Sequence, residues 1–474
     1  MDAAAETGRQ AARKSLDFIV CGMPRGGTTF FGQLFNTHPD VYCYFMETSF
    51  FRQLHIFGRE RPFPPENLPA LEGCLRSEFT AALVHGTREE RTSTFRRLTH
   101  YKNVLGQHGL AEATGPGIRV WDETSVEELI AEVLDLFRRG LYGTALFSEG
   151  AAVLGSHLRG VTRRTRIGEK TPDNLFYVRS LQEALPDLKA FCILREPYST
   201  LESMKRRALR SESFDSAFSR EVWRGIVEYY RFMRAAFDLS QSSSDESFSV
   251  CRFEDLLDDP VREMQKVFRT LGLVPPDDLH GLLPHLRAPT DIRHTHELVL
   301  SPAENRLIDM VLGPMLRHFG YDDVLHGSGL PGDVDLDECV LPLAGVHADG
   351  GLGEFIQHGW MSAQADLFLL YRPHRSHLRL TLACDFPKAL GLETVSLTFN
   401  SGGKVIARVE TLPEQQDIQV DIALADLEQL AAGATLHGSH LRISSSESYT
   451  PITIAGLGPD IRNFSFLIVA SEFV

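Results

Sequence analysis

No run of residues in this 474-residue chain has the length and apolar character of a membrane span, which takes roughly 20 consecutive apolar residues. The opening stretch, Met1-Asp-Ala-Ala-Ala-Glu-Thr-Gly-Arg-Gln10, lacks the apolar core of a secretory leader. A soluble, cytoplasmic protein with no membrane insertion is the expectation. A basic excess is missing too: 48 Lys and Arg stand against 63 Asp and Glu, net −15, which argues against nucleic acid or an anionic membrane as the general partner. Cysteine is sparse, at positions 21, 43, 74, 192, 251, 339 and 384, odd in number and without metal-ligand spacing. A reducing compartment fits that pattern, and no metal site is expected from it. Cys21, Cys192 and Cys251 lie in apolar strand-like runs and read as small core residues. No internal repeat is present.

What remains is an ordinary globular composition, 43% hydrophobic and 23% charged, over a length that exceeds one usual core, so two domains are expected. After a loose tail at 1–15, Phe18 to Cys21 is an apolar run of strand length, and Phe31, Leu34 and Phe35 recur at helical spacing. Between them stands Gly22-Met-Pro-Arg-Gly-Gly-Thr-Thr29, a glycine-rich turn from strand into helix. Glycines let a backbone approach a ligand closely, and the free N–H groups of a helix start attract an anion. The frame nearly fits the nucleotide-triphosphate P-loop, but Thr28 stands where its lysine belongs and Arg25 supplies a cation three residues earlier. Taken alone, such a loop either cradles phosphate or serves plain strand–helix packing.

Val41 to Met46 is strand-like, and Glu47-Thr-Ser-Phe-Phe51 follows at its carboxyl end, where it should sit near the glycine loop. Residues 52–165 read as a helical insertion that shapes an acceptor pocket, with Ser125 and Glu128 as a capping box. Arg163-Arg-Thr-Arg166 reads as a solvated face, and Gly168-Glu-Lys-Thr-Pro-Asp173 as a charged turn ending the insertion. Leu188–Leu194 is a second buried strand, and it ends in Arg195, with Pro197 suited to open a helix that carries Ser203. A magnesium-dependent P-loop enzyme commonly carries an aspartate near such a strand end; an arginine and a serine could instead grip an anion without metal. The Ser-rich run 240–247 is a surface loop, Phe248–Phe253 another strand, and an amphipathic helix runs to about Leu271. The fold class is therefore α/β, a P-loop-like, mostly parallel sheet flanked by helices. Residues 326–345 are a Gly- and Asp-rich linker, and alternating runs at 378–384, 394–399, 404–409 and 418–422, with a hairpin turn at 400–403, predict a C-terminal all-β, jelly-roll-like sandwich over 346–474.

The loop Pro24-Arg-Gly-Gly-Thr-Thr29, Glu47-Thr-Ser-Phe-Phe51, Gly168-Glu-Lys-Thr-Pro172, Arg195 with Ser203, and Arg252-Phe-Glu-Asp-Leu256 with Asp259-Pro260 together resemble the sulfotransferases that use 3′-phosphoadenosine 5′-phosphosulfate (PAPS) and release PAP. The likeness is to the branch of heparan sulfate and tyrosylprotein sulfotransferases and their bacterial relatives, and it covers roughly residues 16–325. It implies that Pro24, Arg25, Gly26, Gly27, Thr28 and Thr29 hold the 5′-phosphosulfate and that Arg195 and Ser203 hold the 3′-phosphate. It implies further that Glu47 is the base, that Lys170 and Arg25 stabilise developing charge, and that Arg293 belongs to a late loop closing on the donor. No metal is needed in that chemistry. The bland alternatives are a solvated carboxylate for Glu47, an ion pair with Glu169 for Lys170 and a solvated loop arginine for Arg293. Ser49 stands where the heparan 3-O enzymes have a histidine, so acceptor handling differs.

The acceptor implied is a hydroxyl on a saccharide, glycolipid or secondary metabolite, that is, a small molecule or glycan. The C-terminal strands are similar to β-sandwich modules appended to bacterial glycan-modifying enzymes, which suggests acceptor binding or oligomerisation. Residues 335–474 hold 17 acidic and 8 basic side chains, net −9, so a polyanionic glycan is not the expected ligand there. Two other readings stay open: a P-loop kinase-like phosphotransferase, and a non-catalytic nucleotide- or glycan-binding protein.

Overall fold

A computed structural model describes residues 15–85, 121–160, 162–210, 222–244, 246–277, 279, 300–324, 338–348, 359–432, 437–448, 453–454 and 465–474. The chain divides into two compact units, Met1–Arg195 with Ala235–Thr295, and Glu196–Arg234 with His296–Val474.

Among the described residues of the first unit, five strands form one sheet: β1 (Phe18–Gly22), β2 (Val41–Tyr44), β3 (Arg166–Lys170), β4 (Lys189–Leu194) and β5 (Phe248–Arg252). Their order is β2-β3-β1-β4-β5, and every neighbouring pair is parallel. A parallel sheet is covered on both faces, so its central strands are continuous apolar runs rather than alternating ones; all of β1 is buried. The helices are α1 (Thr28–Phe35), α2 (Phe50–Gly58), α3 (Leu68–Phe79), α4 (Glu123–Arg138), α5 (Gly143–Arg159) and α6 (Val178–Ala184). They are followed by α7 (Pro197–Arg210), α8 (Val222–Ser242), α9 (Phe253–Asp258), α10 (Pro260–Thr270) and α11 (Pro302–His318). Phe31, Leu34 and Phe35 of α1 face the sheet, where the Phe35 ring stacks on Phe18 at 4.9 Å and meets Phe191 edge-on at 5.2 Å. That aromatic packing fixes α1 over β1 and β4, and with it the loop between β1 and α1.

Several sequence expectations change here. Gly168 to Lys170 is not a turn but the end of β3, inserted between β2 and β1. Its charges hide the strand from a hydropathy reading, yet each has a partner: Arg166 pairs with Asp17 at 3.2 Å, Lys170 with Glu47 at 3.0 Å, and Glu169 lies among hydroxyls. Gly168 is where the Phe18 ring lies flush on the strand; a Cβ there would fall 2.4 Å from it. Ser125 is not the cap of α4 but its third residue: Asp122 is the cap, accepting from Ser125 N at 2.8 Å while Ser125 Oγ accepts from Asp122 N at 3.1 Å. The Ser-rich stretch is helical as far as Ser242, and there Ser240 and Ser242 turn their hydroxyls back onto the Phe237 and Asp238 carbonyls.

The second unit holds the antiparallel strands β6 (Cys339–Ala348), β7 (Gly359–Tyr371), β8 (His377–Cys384), β9 (Val395–Ser401), β10 (Lys404–Thr411), β11 (Ile418–Ala423), β12 (Gln429–Ala432), β13 (His437–Ser445) and β14 (Phe466–Phe473). The main path runs β10-β9-β13-β7-β14-β8-β11, with β12 on β13 and β6 on β7. The strand β6 begins inside the stretch expected as linker, so residues 339–345 are sheet. Burial alternates strictly along β9 and β11, as a sheet with one inward face requires. Leu397 and Phe399 of β9 enter the same apolar core as Val420 and Ile422 of β11, from near opposite ends of the path. The sheet therefore folds over on itself into a sandwich-like body. Helices α7 and α11 and the part of α8 up to Arg234 belong to this unit.

Candidate active site

In the first unit β1 lies between β3 and β4: the chain passes from β1 to β2 and β3 on one side, then crosses over to β4 and β5 on the other. Ligands of open α/β sheets gather at such a switch point, outside the carboxyl ends of the strands. Gly22 closes β1 with φ 140°, and a Cβ on it would lie 2.2 Å from the Ile193 carbonyl oxygen of β4, so only glycine fits. The chain then turns tightly, Gly26 N donating to Met23 O at 2.9 Å, with Arg25 at φ 67°. A non-glycine residue in that region is strained and marks a place where the fold holds the backbone for a purpose. Gly27 caps α1 with φ 95°, and no side chain caps the helix start. Its first amides are thus left without a side-chain cap, next in sequence to the exposed side chains of Arg25 and Thr29, while Thr28 is buried and Pro24 half-buried.

Phe253, the first residue after β5, closes this loop from below. Its ring would meet a Cβ on Gly27 at 2.4 Å, and the Arg195 guanidinium, at the end of β4, lies 5.3 Å from its centroid. One buried ring thus supports both the loop and Arg195. From sequence, Phe253 reads as the end of a strand and as part of a helix-start element, with no sign of this supporting role; the strand in fact ends at Arg252.

On the other side of β1, Lys170 ends β3 and Glu47 follows β2. Lys170 Nζ donates to Glu47 Oε1 at 3.0 Å, the lysine side chain being 1% and the glutamate 54% exposed. The lysine stem passes α1 at Gly32, where a Cβ would lie 3.3 Å from Lys170 Cβ, which brings the ammonium beside the glycine loop's helix. The expected alternative, Lys170 paired with Glu169, is not what forms. Neighbouring strand residues point to opposite faces, and Glu169 turns into a buried polar knot. It accepts from Thr171 Oγ1 at 2.9 Å, from Thr48 Oγ1 at 3.3 Å and from Asn174 Nδ2. Burial pushes the Glu169 carboxyl up to about 7, against the pull of those hydrogen bonds and of the Lys170 charge. The knot also fixes the turn carrying Glu47: Thr48 N donates to Thr171 Oγ1 at 3.0 Å, and Ser49 sits at φ 53° before α2 begins.

Ser203 lies half-buried on α7 of the second unit, and Arg293 lies outside the described residues. All seven cysteines are free thiols; Cys21 and Cys192 face each other in register across β1 and β4, and burial first, then Cys192, pushes the Cys21 thiol well up. Among the described residues no three His, Cys, Asp or Glu side chains are grouped to hold a metal ion, and no helix is long and apolar enough to cross a membrane.

A helix start without a side-chain cap, the cation Arg25, the buried ammonium of Lys170 and the accessible carboxylate of Glu47 suit an anionic donor group and a proton-bearing acceptor. The sheet is P-loop-like, and its glycine loop lacks the P-loop lysine, Thr28 standing in that place. The chain belongs to the sulfotransferase family, whose profile matches residues 17–277. A curated relative, the omega-hydroxy-beta-dihydromenaquinone-9 sulfotransferase Stf3 of Mycobacterium bovis, is 28% identical over 171 residues, 34% of this chain and 42% of the relative. The chain thus spans less than half the length of that protein. Among solved structures, a sulfotransferase of Alicyclobacillus acidocaldarius is 15% identical, covering 66% of this chain and 96% of its own, with a TM-score of 0.36. Sulfotransferase STF9 of Mycobacterium avium is likewise 15% identical, over 64% of this chain and 77% of its own, with a TM-score of 0.37.

Proposed function

We propose that this protein transfers the sulfuryl group of PAPS to a hydroxyl of a saccharide, glycolipid or secondary metabolite, in the cytoplasm, with residues 16–325 as the catalytic domain. The observation that carries this reading is the contact of Lys170 Nζ with Glu47 Oε1 at 3.0 Å, beside the helix that the glycine loop opens. Family membership supports the transferred group, and the hydroxylated dihydromenaquinone in the name of the mycobacterial relative supports a hydroxyl acceptor.

The donor supplies the sulfuryl group and a phosphate leaving group. Glu47, more than half exposed, takes the proton of the acceptor hydroxyl as its oxygen bonds to sulfur. Lys170 and Arg25 meet the charge that grows on the bridging oxygen as the sulfur–oxygen bond to the 5′-phosphate breaks. The uncapped amides of Gly27 to Thr29, with Pro24 and Gly26 shaping the turn, hold the phosphosulfate. Arg195, steadied on Phe253, takes the 3′-phosphate; Ser203 and Arg293 keep the assignments that the sequence resemblance implies.

Titration calorimetry with PAP, and separately with magnesium-ATP, tests the reading. Binding of PAP in the micromolar range, indifferent to magnesium and weakened about tenfold or more in Arg195→Ala, is expected. Binding of magnesium-ATP with none of PAP overturns it in favour of a phosphotransferase. Transfer of label from sulfur-labelled PAPS to a panel of sugar, lipid and phenol hydroxyls then separates an enzyme from a binding protein.

A further inference from the structure

The end of β3 carries more than Lys170. The next residue, Thr171, is 3% exposed, and its own amide donates to Val20 O of β1 at 3.2 Å, two residues before Gly22. A threonine hydroxyl has one hydrogen to give and lone pairs to receive with. The hydrogen goes to Glu169 Oε2 at 2.9 Å, and the oxygen receives the Thr48 amide at 3.0 Å. Glu169 is held in turn by Asn174 Nδ2, and the Asn174 backbone amide returns to Thr171 O at 3.1 Å. All of these residues lie within the first unit.

The Thr48 amide belongs to the peptide unit that joins residues 47 and 48, and a peptide unit is planar from one Cα to the next. Its bond to Thr171 therefore fixes the Glu47 Cα and the plane from which the Glu47 side chain leaves. A second tie works from the other side. Thr48 Oγ1 donates to Glu169 Oε2 at 3.3 Å and accepts the Phe50 amide at 3.2 Å, which holds the first turn of α2. Further back, Tyr44 of β2 pairs in register with Glu169. The stretch from Tyr44 to Phe50 is thus pinned to the residues on either side of Lys170.

We propose that Thr171 is a positioning residue of the active site: its hydroxyl, aimed by Glu169, holds the peptide plane of Glu47 so that this carboxylate meets Lys170. The inference rests on the reading of Glu47 as the base given under the proposed function. Plain packing would not need this arrangement. A carboxyl that burial pushes up to about 7 is costly near neutral pH, and apolar side chains of like volume would fill the same space. A buried polar network specifies one geometry where an apolar cluster tolerates several. Here that geometry is the approach of a base to a cation, where a displacement of about 1 Å costs about 10²-fold in rate.

The test is kinetics on the full chain with sulfur-labelled PAPS and whichever hydroxyl of the panel above the parent sulfates fastest, beside calorimetry with PAP. Thr171→Val keeps the shape and loses the hydroxyl; Thr171→Ser keeps the hydroxyl and loses a methyl group. Thr171→Val should lower kcat about 10- to 100-fold. Its KM for PAPS and its affinity for PAP should stay within about twofold of the parent, and Thr171→Ser should keep kcat within about threefold. In the Glu47→Gln background Thr171→Val should cost less than about twofold more, since it acts only through that carboxylate. Transfer by Thr171→Val at the parent rate, PAP affinity lost in step with rate, equal damage in Thr171→Ser, or full multiplication with Glu47→Gln overturns the positioning role and leaves the enzyme reading intact. Crystal structures of the PAP complexes read the same claim without an acceptor. The Glu47–Lys170 contact should persist in Thr171→Ser and be broken in Thr171→Val; its persistence in Thr171→Val overturns the proposal. A parent that binds no PAP removes the functional reading itself, and the positioning role with it. Should Thr171→Val not fold, adding Glu169→Gln removes the carboxylate left short of a donor, and the pair is judged by the same ratios.

Discussion

Lys170 Nζ and Glu47 Oε1 meet at 3.0 Å, but they share the contact unequally, the ammonium 1% and the carboxylate 54% exposed. The buried partner is thus the cation, and the accessible one is the group placed to receive a proton. For Glu47→Gln the expectation is retained PAP binding and a loss of transfer of about 10²-fold or more. The variant also deprives a buried ammonium of its counter-charge, so a loss of about 1–3 kcal/mol in unfolding free energy should accompany it. Transfer at the parent rate would show that Glu47 is not the base.

Lys170→Met removes the buried charge and leaves an exposed carboxylate that water can solvate. Its thermal midpoint should fall less than that of Glu47→Gln, while transfer falls about 10²- to 10³-fold through lost charge stabilisation. Activity and stability measured on the two variants side by side check this inverse ordering.

Glu169 predicts a pH dependence of stability. Its carboxyl stands at about 7 in the folded chain against an ordinary 4.5. Below the ordinary value both folded and unfolded forms are protonated and the contribution is fully present. As pH rises from about 4.5 to 7 the unfolded chain ionises first, and about 3 kcal/mol is lost. Glu169→Gln does not titrate, so chemical denaturation should show its stability gaining on the parent across that window and staying parallel above it. A gap between the two that is flat with pH would contradict the assignment.

Gly27→Ala sets a Cβ 2.4 Å from the Phe253 ring, at φ 95°. A loss of about 1–3 kcal/mol is expected, with PAP weakened as the loop shifts. Adding Phe253→Leu should recover stability but not PAP affinity, because Arg195 then loses the ring it rests on. Thermal melts and calorimetry on the single and double variants decide this.

Much of the first unit was legible because its signals are local. The apolar run of β1, the periodic Phe31, Leu34 and Phe35, and the glycines between them state a strand, a turn and a helix within twenty residues of chain. The strand β3 was not legible, since Arg166-Ile-Gly-Glu-Lys170 reads as a charged turn until Asp17 and Glu47 are brought to neutralise it. The cap of α4 was missed by three residues because Asp122 and Ser125 both carry capping groups, and only the backbone decides which of them precedes the first turn. Phe253 as a support for loop and arginine had no sequence signal beyond its place at a strand end.

The sequence by itself determined the family, the mostly parallel sheet, the antiparallel C-terminal strands and the glycine-rich loop, because periodicity, turn residues and short motifs are written in consecutive residues. Only the tertiary structure decided that Lys170 meets Glu47 rather than its neighbour Glu169, and that α7 packs in one unit with the C-terminal sheet. The reason is physical: strand alternation separates residues 169 and 170 onto opposite faces. What Lys170 then meets is set by a side chain more than a hundred residues away, which packing alone brings within reach.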